Sequence, residues 1–172
     1  MMTVVTGGSK CGKSSFAESM LDGFDNRKLY IATMRPYGEE ALTAIERHRR
    51  LRSKKGFETI ERYTDIGGLS LPEGCGILLE CMGNLCANEM FRDDRITDPF
   101  LTITDGIRRL REYASKLIIV TNTVCCDGIS YEYGTLEYIR VLSRINTILA
   151  DMSDNVIECV YGIPVVLKGK LS

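Results

Sequence analysis

The chain reads as a single α/β domain, with a mainly parallel sheet covered by helices on both faces and an antiparallel strand at its C-terminal edge. Three observations predict this. Short apolar runs alternate with amphipathic segments along the whole chain. The runs are apolar at successive positions, as strands covered on both faces of a parallel sheet are. The last two runs are separated only by Gly162 and Ile163, a spacing that fits a hairpin and therefore an antiparallel pair.

The strand candidates, in order, are residues 3–6, 29–32, 77–79, 117–121, 156–161 and 164–167. Between them, apolar residues recurring every three to four positions predict helices over residues 13–21, 39–52, 82–91, 99–114 and 135–152. Residues 67–76 read as a turn-rich connector. There is no internal repeat or linker, so residues 1–172 are taken as one domain. At that length one core buries roughly 70% of the surface the unfolded chain exposes.

Composition narrows the function classes. Charged residues make up 26% of the chain and the net charge is −1, so no global field draws it to nucleic acid or to an anionic membrane. The seven cysteines, at 11, 75, 81, 86, 125, 126 and 159, form no C-x-x-C pair. That argues against a zinc site or a disulfide framework and for reduced thiols in the cytosol. The N-terminus has no basic stretch leading into a long apolar run, so no signal peptide is expected. No run approaches 18 apolar residues, so no membrane span is expected, and the location expected is cytoplasmic.

Gly7-Gly8-Ser9-Lys10-Cys11-Gly12-Lys13-Ser14 fits G-x-x-x-x-G-K-[ST], with a strand candidate before it and a helix candidate after it. Glycines let the backbone curl so that several N–H groups face one phosphate. Lys13 reaches the β- and γ-phosphates, and the Ser14 hydroxyl ligates Mg²⁺. The alternative is a tight glycine turn with no ligand. The strand-before, helix-after context favours a nucleoside triphosphate with magnesium. Such a loop needs an acid to hold the metal or its waters. Glu80, directly after Ile77-Leu78-Leu79, lies at the carboxyl end of a buried strand candidate, where α/β sheets bind ligands.

His48 is the sole histidine. Ala41, Ile45, His48 and Arg52 fall at i, i+4, i+7 and i+11, on one helix face. Neighbouring arginines lower an imidazole's pKa and keep it neutral near pH 7, and a neutral imidazole can attack phosphorus. Arg49 and Arg52 would stabilise the charge that develops. The plainer reading is a solvated basic helix end, since residues 47–55 hold six cations. A nucleic-acid patch is a third reading, but the segment lacks interleaved aromatics.

Several segments together resemble one family: Thr6 to Ser14 with Ala17-Glu18, Tyr30-Ile31-Ala32-Thr33, then Glu40, Ile45, His48 and Arg52, and later Leu78-Leu79-Glu80-Cys81, Asn88, Val120-Thr121-Asn122 and Gly162-Ile163-Pro164. Their order and spacing resemble the bifunctional adenosylcobinamide kinase/adenosylcobinamide-phosphate guanylyltransferase family of cobalamin biosynthesis, over nearly the whole chain. The resemblance implies a P-loop NTPase (RecA-like) sandwich that phosphorylates adenosylcobinamide and moves GMP from GTP, through a GMP–histidine, onto the phosphorylated corrinoid. It implies His48 as the guanylylated residue. It also implies a nucleotide site that includes Thr33, Arg49, Arg50, Leu51, Arg52 and Glu61, and a homotrimer with sites between subunits. GTP or ATP is the implied phosphate donor.

The chain departs from the family after Asn122, where Thr123 replaces a glutamate, Cys125 replaces a glycine and a proline is missing. Phe57 also stands where the family often has tryptophan. The divergence leaves two alternatives open: a small-molecule kinase without guanylyl transfer, and a non-catalytic nucleotide-binding relative.

Overall fold

The computed structural model describes residues 1–36, 49–50, 52–92, 95–124 and 130–171. In chain order the elements are β1 (Met2–Thr6), α1 (Lys13–Ser19), β2 (Lys28–Ala32), β3 (Phe57–Glu61), a 3₁₀ turn (Ile66–Gly68), β4 (Cys75–Glu80), α2 (Met82–Met90), β5 (Phe91–Arg92), β6 (Arg95–Ile96), α3 (Phe100–Tyr113), β7 (Ala114–Val120), α4 (Tyr133–Met152), β8 (Asn155–Val160) and β9 (Ile163–Lys168). Among the described residues, seven strands form one sheet in the order β3-β2-β4-β7-β1-β8-β9. Every pairing in it is parallel except β8 with β9, as the short final connection predicts. β5 and β6 form a separate antiparallel pair.

Alternation along the strands explains how the sheet is covered. Leu29, Ile31, Ile77, Leu79, Leu117 and Ile119 point to one face and pack with α2, α3 and α4 through residues such as Leu85, Ile107 and Leu142. Tyr30, Leu78, Ile118 and Val120 point to the other face and pack with Ala17 and Leu21. Burying each large apolar side chain stabilises the fold by roughly 1.5–3 kcal/mol. Both faces are therefore dry, which is why the strands read as continuous apolar runs.

The details correct several expectations. The final turn is Tyr161–Gly162, one residue earlier than predicted, because both residues hold positive φ (51° and 84°), the geometry of a two-residue type I′ hairpin. β3 and the β5–β6 pair are absent from the sequence reading. α1 ends at Ser19 rather than at 21, tightening into i→i+3 bonds from Leu21 N to Glu18 O and from Asp22 N to Ser19 O. Ala114 belongs to β7 and not to the preceding helix. Of the helix predicted over 39–52, residues 49–50 and 52 are described and are helical, while 39–48 and 51 lie outside the described residues.

The topology sets the place of the site. β7 lies between β1 and β4, and Val120 is in register with both Val5 and Glu80. The carboxyl ends of β1 and β4 are thus level and about 10 Å apart, two strand spacings. Ala32 of β2 pairs with Glu80 on the far side.

Candidate active site

The loop between β1 and α1 spends its carbonyls on the protein. Lys13 is buried and its Nζ donates to the Gly8 carbonyl at 2.5 Å. The Gly162 amide of the final hairpin donates to the Cys11 carbonyl at 2.9 Å, and the Thr123 amide to that of Gly7 at 3.3 Å. Gly12 caps α1 with φ 96°, and among the described residues no side chain caps the helix. Such a loop presents its amides to an anion. Ser9 and Lys10 are exposed, and Lys10 holds a positive φ of 55°.

Glu80 is the hub of the site. Its Oε1 accepts from the Ser14 hydroxyl, and its Oε2 accepts from the Tyr30 hydroxyl at 2.7 Å. Burial, together with the Glu80 carboxylate, pushes the Tyr30 hydroxyl far above its ordinary pKa, so it remains a donor. The Arg52 guanidinium lies over the Tyr30 ring, 3.7 Å from its centroid. Arg49 faces Glu61 at 3.8 Å, and Lys55 pairs with Glu18 at 2.5 Å. A cleft of about 200 Å³ opens among Ser14, Tyr30, Arg49, Arg52, Glu61 and Glu80. Cys81 also lines it, but burial raises the thiol's pKa and keeps it protonated.

The strand ends behind the cleft are braced. The Thr33 amide donates to the Glu80 carbonyl at 3.0 Å. Its hydroxyl donates to the Cys81 carbonyl and accepts from the Cys81 amide, both at 2.8 Å. Asn88 Nδ2 donates to the Thr33 carbonyl at 2.7 Å and to that of Tyr63 at 3.1 Å. Thr33 is fully buried, so its side chain supports the site from beneath.

Of the residues singled out in the sequence, Ser14, Arg49, Arg52, Glu61 and Glu80 converge on the cleft, with Lys13 and the glycines of the loop beside it. Arg50 is exposed and stands outside the lining. His48 and Leu51 lie outside the described residues. Sequence reasoning did not assign Tyr30 to the site. The available signal was a tyrosine within an aliphatic strand, whose buried hydroxyl needs a partner.

Among the described residues, no group of three or more His, Cys, Asp or Glu side chains could hold a metal ion. The hydroxyl of Ser14 and the carboxylate of Glu80 supply hard oxygen donors at one point. That set fits Mg²⁺, which binds through one or two protein oxygens and keeps water and phosphate for the rest. No helix among the described residues is long and apolar enough to cross a membrane.

Comparison with known proteins decides the family. Residues 3–167 match the family described as cobinamide kinase / cobinamide phosphate guanyltransferase. The chain belongs to this family. Two of its members are the bifunctional adenosylcobalamin biosynthesis proteins of Escherichia coli (strain K12) and Salmonella typhimurium (strain LT2), 30% and 32% identical to it. Each alignment covers 98% of this chain and the whole of the relative. Among solved structures, an ATPase of a bacterial type III secretion system superposes at a TM-score of 0.49 with 13% identity, over 96% of this chain and 56% of that one. The chain is an α/β P-loop protein, with the loop strand and the acid strand separated by one neighbour.

Proposed function

We propose that this chain phosphorylates adenosylcobinamide and then transfers GMP from GTP to the product, with one phosphate loop serving both steps. The observation that carries the reading is the convergence of Ser14, Glu80, Arg49 and Arg52 on one cleft beside the loop, in a chain whose family relatives are bifunctional. Lys13 and the loop amides hold the triphosphate. Ser14 and Glu80 would hold Mg²⁺, which would neutralise phosphate charge and orient the phosphates. In the kinase step the corrinoid hydroxyl attacks the γ-phosphorus and the nucleoside diphosphate leaves; GTP or ATP can serve. In the second step the neutral His48 imidazole attacks the α-phosphorus of GTP, an N–P bond forms, and pyrophosphate leaves. The phosphorylated corrinoid then displaces His48 to give the GDP-linked product. Arg49 and Arg52 stabilise the charge on the moving phosphoryl group. Leu51, Arg50, Glu61 and Thr33 complete the nucleotide site as contacts or supports.

The protein acts in the cytoplasm as a homotrimer. The outward apolar row Ile163, Val165 and Leu167 on the edge strand β9 supports contact with a second copy of the chain.

Intact-mass measurement after incubation with GTP and Mg²⁺ tests the transfer step. A GMP adduct is expected that disappears in His48→Ala. The absence of any adduct across pH, with corrinoid supplied, would sink guanylyl transfer while leaving the kinase step to be assayed with Lys13→Ala.

A further inference from the structure

We infer that Tyr30 is the positioning residue for the acid of the metal site, and that its ring ties this acid to the segment carrying Arg52. The inference rests on the reading of Ser14 and Glu80 as the residues that hold magnesium.

A carboxylate at the end of a strand can rotate about its side-chain torsions, and a metal site needs it in one orientation. Glu80 has its two oxygens held by different elements: Ser14 of α1 donates to one, and Tyr30 of β2 to the other at 2.7 Å. When Ser14 and one Glu80 oxygen turn to the metal, the Tyr30 hydroxyl still fixes the second oxygen. The carboxylate then pivots about a held point instead of swinging free.

The ring itself cannot shift. It is 5% exposed, and the Phe57 ring meets it edge to face, with centroids 6.2 Å apart and planes at 87°. Its open side is covered by Arg52, whose guanidinium carbon is 3.7 Å from the centroid. One side chain therefore touches both the metal acid and an arginine that serves the phosphoryl groups. The hydroxyl acts on the first and the ring face on the second, so substitution can separate them.

Calorimetric titration of GTP into the full chain, over a Mg²⁺ series and in metal-free buffer, reads both halves without turnover. Tyr30→Phe keeps the ring and removes the donor. It should raise the Mg²⁺ needed for half-maximal tightening of GTP binding roughly 3- to 10-fold, within the range that loss of one ordinary hydrogen bond implies. Metal-free GTP affinity should change less than the Mg²⁺ requirement does. Tyr30→Leu should raise the Mg²⁺ requirement equally and also weaken metal-free GTP binding several-fold, because Arg52 loses its platform. Circular dichroism on each variant checks folding. Glu80→Gln separates the two claims. If Glu80→Gln shifts the Mg²⁺ requirement and Tyr30→Phe does not, the positioning role is overturned and the metal reading stands. If neither shifts it, both are overturned. If Tyr30→Leu matches Tyr30→Phe in metal-free buffer, the tie to Arg52 is overturned.

Discussion

Gly12 holds φ at 96°, and a Cβ built on it would lie 3.2 Å from the Cα of Gly162. Alanine there meets both the left-handed backbone penalty and the hairpin. Gly12→Ala should lower stability by roughly 1–2 kcal/mol and should weaken GTP binding more than tenfold, because the loop opens to make room. Thermal melting with and without GTP checks this, and an unchanged affinity would mean the loop tolerates the displacement. At this scale the sequence was informative wherever spacing implies geometry. The loop and Glu80 could be placed because a glycine pattern and the end of an apolar run specify backbone positions. Tyr30 could not, because its role depends on β2 lying beside β4, and no local pattern encodes that neighbour. For Thr33 the family resemblance implied a place in the nucleotide site, and local pattern gave no sign that its hydroxyl is committed to Cys81.

At the scale of elements, the doubly buried strands were legible and the edges were not. β3 reads Phe57-Glu58-Thr59-Ile60-Glu61, with only Phe57 buried, so it lacks the apolar run that marks β4. It is the sheet's outermost strand on that side and needs only one dry neighbour. β5 and β6 are two exposed residues each, too short for any period to show. The junction of β1 and β8 offers an element-scale test. The Asp154 carboxylate accepts from the Met2 amide at 2.6 Å, and the Asp154 amide donates back to the Met2 carbonyl at 2.9 Å. The Met2 amide lowers the Asp154 pKa, assisted by Arg111 and the N-terminal ammonium. A depressed folded pKa contributes stability above the unfolded pKa and loses it as pH falls through the folded one. Asp154→Asn should therefore be less stable than wild type near neutral pH, by about 0.5 kcal/mol since the group is exposed and screened. The gap should close in acid. Urea denaturation across that range checks the sign, and a gap that persists in acid would assign the loss to something other than charge.

At the scale of the whole molecule, the sheet leaves two unlike edges. β3 carries Glu58 and Glu61, as a guarded edge does, whereas β9 exposes Ile163, Val165, Val166 and Leu167. If the proposed homotrimer forms through β9, Val165→Lys should shift the mass measured by light scattering from trimer to monomer with the far-ultraviolet dichroism unchanged. A mass that does not move would place the subunit contact elsewhere. The strand order has a further consequence, in time rather than in space. β1 pairs with β7 and β8 only, and the loop that follows it is held by the Gly162 amide. A chain growing toward its C-terminus makes the loop's residues more than a hundred residues before their supports at Thr123 and Gly162. The phosphate loop, made before the rest of the described site, is the part of it that synthesis completes last.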